Sequence, residues 1–274
     1  MAYTSIDNPE LYFQVKTWTG NGSTQSITLD GDENMQPNFV WIKNRGATAS
    51  HILTDSVRGV TKNIFSDKNE AEETISTRIT SFNSDGFSLG SEANVNASSN
   101  TYVAFSWKED ATAGFDIVTY TGASGDQTFA HSLGAAPEWY IVKERGNTNS
   151  LIVNHIGLAN QTNAYLLLNT SDAAGTDSWF NSTAPSSSVV HANDGDSPTN
   201  RNGGTYVMYL WRGIKGFSKF GSYTGNGNAD GTFVYTGFKP AFVIYKRTNT
   251  GADWHQYDNK REPFNPLASA PVFL

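Results

Sequence analysis

The chain of 274 residues carries 19 basic and 26 acidic side chains, which gives a formal net charge of −7. Only 16% of the residues are charged, and a chain so poor in the residues of long amphipathic helices is neither a coiled coil nor a helical bundle. The 7 Trp, 12 Tyr and 16 Phe residues exclude wholesale disorder, because so much ring surface requires a core. The composition therefore indicates an all-β protein.

Several classes of partner are excluded by the same features. No window is basic enough to displace counterions from a duplex, so we expect no contact with nucleic acid. No stretch approaches the ~18 apolar residues of a membrane span, and the first residues show no secretory signal. The chain has no cysteine, which excludes disulfides, thiolate metal sites and cysteine nucleophiles.

Three similar stretches follow one another along the chain. KTWTGNG (16–22) recurs as VTYTGAS and as GSYTGNG, and each copy precedes a proline and an apolar run that ends in a basic residue. A closing run, TYVAFSW (101–107), recurs as TYVMYLW (205–211). The copies of both motifs lie about 100 residues apart, and this shared spacing predicts internal repeats. We expect an N-terminal arm (1–15), two β-sandwich repeats of ~100 residues (16–112 and 113–215) and an incomplete third repeat (216–274).

Each stretch is a series of short strands. In the second one, runs such as FDIVTYT and EWYIVKE are rich in β-branched and aromatic residues, and clusters of Gly, Asn and Asp separate them. Seven or eight such strands predict a jelly-roll-like β-sandwich. TYVMYLW is apolar on both faces, which predicts a central strand covered on both sides. Residues 66–77 fit either a short helix or a surface loop.

The candidate catalytic and metal-binding patterns are weak. Residues 86–90 (GFSLG) match the serine-hydrolase elbow, but the residues that follow do not predict the required helix, so we expect Ser88 in a β-turn. Glu138 and Glu144 flank a strand and do not form the paired acids of a glycosidase. The Asp- and Asn-containing loops at 30–34 and 194–200 offer oxygen ligands of the kind that calcium prefers, but neither matches the twelve-residue calcium pattern and Asx-Gly turns alone explain both. We expect no catalytic residue, no metal and no cofactor.

Two groups of side chains are candidates for contact with a surface. One group is aromatic and could either stack on sugar rings or plug the ends of the sandwiches: Trp179, Trp254, His255 and Tyr257. The other consists of the basic ends of the three apolar runs, which include Lys43, Lys143 and Lys246. Charges at strand ends limit edge-to-edge pairing, and we favour this role over contact with acidic sugars or phosphates.

The motifs resemble those of a known group of proteins. The run TGNGSTQSI…QPNFVWIKNRG…TYVAFSWKE resembles virion structural proteins of tailed bacteriophages, especially those that infect marine and cyanobacterial hosts. FDIVTYTG…APEWYIVKERG…GGTYVMYLW is similar to a repeat in the same proteins. The resemblance covers nearly the whole chain. It implies a structural or tail-fibre role without a catalytic motif, and a homo-oligomer that is a trimer by analogy with other fibres.

Together these features predict a non-enzymatic virion protein of the tail fibre or of a tail-attached adhesion apparatus. Its expected partners are other virion proteins of the tail or baseplate, further copies of itself and a glycan of the host surface. Its expected localisation is the virion, after synthesis in the host cytoplasm and release by lysis. Two alternatives remain open: a capsid decoration or cement protein that binds capsomers, and a carbohydrate-binding module or depolymerase.

The incomplete third repeat presents a packing problem. Half a sandwich leaves an inner face and a strand edge in water, and both are liabilities. We therefore expect residues 216–274 to be completed by a neighbouring subunit or by further chain. The apolar side chains that need cover are Phe233, Tyr235, Phe238, Phe242, Ile244 and Tyr245.

Overall fold

A computed structural model describes residues 4–193, 198–261, 263 and 272–273, and antiparallel strands dominate it. Within these residues the helical elements are a 3-10 turn (Pro9–Leu11) and helix α1 (Ala93–Asn96), and neither is long or apolar enough to cross a membrane. The all-β class and the sandwich-like arrangement are confirmed. The strands are β1 (Phe13–Thr19), β2 (Gln25–Ile27), β3 (Phe39–Asn44), β4 (Ile52–Asp55), β5 (Lys62–Phe65), β6 (Glu73–Thr74), β7 (Ile79–Asn83), β8 (Gly86–Leu89), β9 (Thr101–Trp107), β10 (Phe115–Thr121), β11 (Gln127–Ala130), β12 (Trp139–Glu144), β13 (Ile152–His155), β14 (Ala164–Leu167), β15 (Gly175–Thr176), β16 (Val189–Ala192), β17 (Thr205–Trp211), β18 (Phe242–Tyr245), β19 (His255–Asp258) and β20 (Val272–Phe273).

Two six-stranded sheets form the main body. The first sheet has the order β1-β9-β3-β4-β5-β6, and the second sheet has the order β10-β17-β12-β13-β14-β15. In each sheet the strand that comes last in the chain, β9 or β17, lies between two earlier strands. Every residue of β17 from Tyr206 to Trp211 is buried. This confirms the cover on both faces predicted from the apolar pattern of TYVMYLW, and β17 is an interior strand, second from one edge of its sheet.

The first and second sheets pack against each other through one hydrophobic cluster, which we call the shared core. Alternate residues of the two central strands contribute to it, Trp107 from β9 and both Tyr209 and Trp211 from β17. The ring centroids of Phe39 and Tyr209 lie 4.4 Å apart, and those of Trp107 and Trp211 lie 6.0 Å apart. Because buried aromatic side chains dominate the energetics of cores, this cluster joins the two sheets into one body.

Each sheet has a second core on its opposite face. Val40 and Ile42 of β3 lie in a cluster with residues of the small sheet β2-β8-β7. Tyr140 and Val142 of β12 lie in a cluster with residues of the strand pair β11-β16. Successive side chains of a strand point to opposite faces, so β3 and β12 contribute to the shared core and to an outer core at once.

A buried polar network crosses between the first and second sheets. Asp55 and Arg58 form an ion pair with side chains that are 0% exposed. The Tyr209 hydroxyl donates to Asp55 Oδ2 at 2.7 Å and accepts from Arg58 Nη2 at 2.8 Å. Glu72 links Arg58, at 2.9 Å, to Arg145, at 2.8 Å. Burial opposes ionisation of Glu72, but its bonds to the two arginines outweigh this effect and lower its pKa.

Two of the lysines that end the apolar runs bind a loop of the preceding stretch, whereas Lys43 binds a loop of its own stretch. Lys143 is fully buried, and its Nζ donates to three loop carbonyls, among them that of Asn69 at 3.1 Å. Lys246 makes the corresponding bond to the Ser171 carbonyl, also at 3.1 Å. Burial lowers the pKa of Lys143 to about 8. Both roles considered from the sequence, edge protection and contact with acidic ligands, are therefore wrong for Lys143.

The third sheet, β18-β19-β20, lies beside the shared core. The ring of Phe242 lies 4.8 Å from that of Phe105, and Ile244 packs against the same cluster. The body therefore covers part of Phe242 and Ile244, which are half-buried, and the need for further cover stays a prediction for both. Phe233 and Tyr235 are 85% and 67% exposed, so for them the need for cover stays a prediction.

Three local expectations are settled by the strand assignments. Residues 66–77 form a loop that contains β6, which was one of the two open alternatives. Ser88 lies in strand β8, where its Oγ is 3.2 Å from Ser26 Oγ, so the expected β-turn is wrong. Strand β1 begins at Phe13, inside the segment 1–15 that the sequence suggests is an arm. The boundaries of the repeats stay a prediction.

Candidate functional site

Three aromatic rings stack on one face of the third sheet. The centroid of Tyr245 lies 4.9 Å from that of His255, with an interplanar angle of 4°, and 6.1 Å from that of Tyr257, with an angle of 11°. The strand register explains this arrangement, because Tyr245 pairs with His255 and Val243 pairs with Tyr257. We call Tyr245, His255 and Tyr257 the aromatic face.

The aromatic face arises because successive side chains of β19 point to opposite sides of the sheet. Gln256 and Asp258 are buried, and His255 and Tyr257, which alternate with them, are half-buried. Trp254 has the same parity as Gln256, and it is buried in the shared core. One side of the strand therefore supports the sheet, and the other presents rings toward solvent.

The chemistry of the aromatic face suits a flat, uncharged ligand. Stacked rings cover part of each other's π-faces and leave ring edges and the outer faces of the stack for an apolar surface, while phenol hydroxyls supply hydrogen bonds at the rim. Burial, with a smaller contribution from Tyr257, raises the pKa of Tyr245 to about 12. The Tyr245 hydroxyl therefore stays protonated at neutral pH and is able to donate a hydrogen bond. A sugar ring fits such a surface, because it has apolar C–H faces and a hydroxylated rim.

The four aromatic residues predicted from the sequence do not form one site. His255 and Tyr257 lie together on the aromatic face. Trp254 is only 5% exposed, and its Nε1 donates to the Leu167 carbonyl at 2.9 Å. Trp254 is buried in the shared core, so its predicted contact with a surface ligand is wrong.

Trp179 lies elsewhere, beside the outer core of the second sheet. Its ring centroid is 4.1 Å from that of Tyr165, and it packs on the cluster that contains Phe180. Tyr245 is the member of the aromatic face that the site prediction missed. The signal was its alternation with the core-facing Phe242 and Ile244 along β18, but its position opposite His255 depends on a register that the sequence does not state.

The acidic residues weighed as a catalytic pair are held in structural contacts. Glu144 is fully buried and accepts hydrogen bonds from Asn147 Nδ2 at 2.7 Å and from Arg201 Nε at 2.8 Å. Glu138 accepts from the backbone N–H of Gly213 at 3.2 Å. These bonds give both carboxylates partners within the fold.

No cluster of three or more potential metal ligands occurs within the part of the chain that the structure describes. Asp30 pairs with Lys16. Asn200 is fully buried, and its side-chain amide donates to two backbone carbonyls at 2.9 Å. Asp194 and Asp196, which belong to the other loop considered for calcium, lie outside the described residues.

Comparison with known proteins gives one match. A family model described as "Domain of unknown function (DUF7483)" matches residues 8–272. No curated protein and no solved structure matches the chain. Because the match includes both six-stranded sheets and β18 and β19 of the third, the chain belongs to the DUF7483 family.

Proposed function

We propose that the chain is a non-enzymatic structural protein of a bacteriophage virion, located in a tail fibre or a tail-attached adhesion apparatus. The observation that carries the host-contact part of this proposal is the aromatic face of Tyr245, His255 and Tyr257. Its ligand is a glycan of the host surface. The resemblance of the repeated motifs to virion structural proteins supports the localisation in the virion.

The body behind the aromatic face suits a mechanical role. The shared core and the network of Asp55, Arg58 and Tyr209 hold the first and second sheets together without a linker between them. Such a body projects a surface outward with little bending. Each contact with a sugar is weak, but several copies in one particle raise the effective concentration and the overall avidity. A homo-oligomer, a trimer by analogy with other fibres, provides these copies.

The acidic side chains support a non-enzymatic role. Glu138 and Glu144 are bonded within the fold, and this disfavours the depolymerase alternative. A capsid decoration protein remains the second candidate. The exposed apolar side chains of Phe233 and Tyr235 favour docking onto another virion protein, and such a protein belongs to the capsid or to the tail.

Two experiments test the proposal. A cryo-EM map of the phage particle should place the chain in the tail, in a small multiple of three or six copies, whereas hundreds of copies on the head identify a decoration protein. Absence from purified virions by mass spectrometry contradicts both.

The host-contact part is tested by adsorption of purified protein to host cells. Tyr257→Ala should weaken adsorption several-fold through loss of a stacked ring, and Tyr235→Ala, which removes an exposed tyrosine outside the stack, should leave it unchanged. Equal adsorption of both variants and the unmodified protein would remove the aromatic face from the proposal.

A further inference from the structure

Two aromatic rings pack together on the outer face of the second sheet. Ala164 and Leu166 of β14 contribute to the shared core, so Tyr165, which alternates with them, lies on the opposite face. The Tyr165 ring lies against that of Trp179, with centroids 4.1 Å apart and an angle of 36° between the planes. Both side chains are half-buried, so each keeps part of its ring exposed. We call Tyr165 and Trp179 the aromatic pair.

The backbone on both sides holds the aromatic pair in place. Tyr165 pairs with Gly175 of β15, and a Cβ at position 175 would overlap the Tyr165 ring. Asn181 and Ser182, which follow Trp179 closely, have φ angles of 56° and 46°, a left-handed conformation that is uncommon for residues other than glycine. Such strain persists only where the surrounding structure imposes it, and it clusters at ligand-binding sites. The fold itself therefore positions the aromatic pair.

An unsatisfied hydrogen-bond acceptor lies on the same face. The Asp177 N–H donates to the Asn163 carbonyl at 2.8 Å, which extends the pairing of β14 with β15 and places both residues on the face of Tyr165. The Asn163 Oδ1 is buried and accepts no hydrogen bond within the described residues. A buried acceptor without a partner is costly, and a ligand that supplies a donor removes that cost.

The carboxylate of Asp177 adds a negative charge beside the aromatic pair. Asp177 is exposed, and it belongs to none of the ion pairs in the part of the chain that the structure describes. Burial, and then the charges of Asp177 and Asp172, raise the pKa of Tyr165, so both carboxylates act on this ring. The charge of Asp172 also acts on Lys246. Asp177 is therefore the carboxylate that is available to a cation.

We propose that the aromatic pair, Asn163 and Asp177 bind a sugar that carries a free amino group. The apolar C–H face of the sugar packs on the exposed part of the rings, and its ammonium group donates to the Asp177 carboxylate. The ammonium group is also attracted to the negative face of the indole, and a sugar hydroxyl supplies the donor that Asn163 lacks. This site is separate from the aromatic face of the third sheet, and the inference does not depend on the assignment to a virion.

The probe is glucosamine at pH 6, where its amine is protonated, and the readout is the NMR signal of the Trp179 indole N–H in the full chain, assigned by its loss in Trp179→Phe. We expect a saturable shift, with an affinity several-fold higher than that for N-acetylglucosamine, which has the same ring but no charge. Butylamine, which has the charge but no flat ring, should also bind several-fold more weakly. An absent shift, or equal affinity for either of these compounds, overturns the proposal.

A protein variant tests the carboxylate. Asp177→Asn keeps the shape of this exposed side chain but removes its charge, so the preference for glucosamine over N-acetylglucosamine should disappear. Asp32→Asn removes the same charge at an exposed position of the first stretch and should keep the preference, which separates the local contact from the net charge of the chain. A preference that survives Asp177→Asn overturns the proposal. Shifts confined to the aromatic face of the third sheet also overturn it, but they leave the proposed host contact standing.

Discussion

Tyr209 joins the first and second sheets through a single hydroxyl group. It donates to Asp55 and accepts from Arg58, and both of these side chains are fully buried. Tyr209→Phe leaves these two charged groups with one partner fewer in a place that water does not reach. Since an unsatisfied buried polar group costs about 1–3 kcal/mol, we expect the free energy of unfolding in urea to fall by that amount.

The control for this prediction is Tyr235→Phe, which makes the same chemical change on an exposed side chain. Its effect should stay within about 0.5 kcal/mol, as for most surface substitutions. If Tyr209→Phe lowered the free energy of unfolding no more than the control does, the hydroxyl would not contribute to the contact between the sheets.

Glu109, in the connection between β9 and β10, gives the protein a pH dependence near neutrality. Burial, followed by its contacts with Asp116 and the charge of Asp55, raises its pKa from 4.5 to about 7, against a bond from the Ile117 N–H. The folded state therefore holds this proton more tightly than the unfolded state does. The contribution to stability is complete below pH 4.5 and is lost as the pH rises through 7.

We predict that Glu109→Gln reduces the loss of stability between pH 5 and pH 8, because the amide does not ionise. The measurement is the urea midpoint of unfolding at each pH, expressed as the difference from the unmodified protein so that contributions from the histidines cancel. Glu33→Gln, at an exposed position, should keep the original pH dependence. An unchanged slope in Glu109→Gln would show that this carboxyl is ionised throughout the range.

At the scale of the elements, side-chain periodicity carried most of the predictive information. TYVMYLW is apolar on both of its faces, and this was sufficient to place β17 in the interior of a sheet, covered on both sides. The same two-residue period places Trp254 on the opposite side of β19 from His255 and Tyr257, but it does not predict which of the two sides packs against the body. For that reason the sequence left open whether these rings stack on ligands or fill a core.

The spacing of apolar residues along a strand does not predict contacts between elements that lie far apart in the sequence. Lys143 looks like a charge at the end of a strand, and only the fold brings the carbonyl of Asn69 to its Nζ. The stack of Tyr245 on His255 likewise requires the register of β18 and β19. The sequence therefore predicted the strands and two of the three residues of the aromatic face, and tertiary packing decided the rest.

At the scale of the whole molecule, the shared core makes the first and second sheets dependent on each other. Each contributes aromatic residues to one cluster, so neither sheet keeps its inner face covered when the other opens. Trp41 of β3 is fully buried in that cluster. Trp41→Ala should destabilise the protein by about 3–5 kcal/mol, as expected for the loss of a large core side chain. This loss should appear in both sheets, because they open as one cooperative unit.

Hydrogen exchange measured strand by strand checks this expectation. In Trp41→Ala the free energy of opening should fall by a similar amount for the amides of β3 and β9 in the first sheet and for those of β12 and β17 in the second. Val57→Ala, at a position that is 45% exposed, should leave both sets unchanged. Full protection of β12 and β17 in Trp41→Ala would mean that the second sheet holds its structure without the first. In that case the shared core would be a contact between two independent domains, because in a single cooperative core the opening of the first sheet also exposes the second.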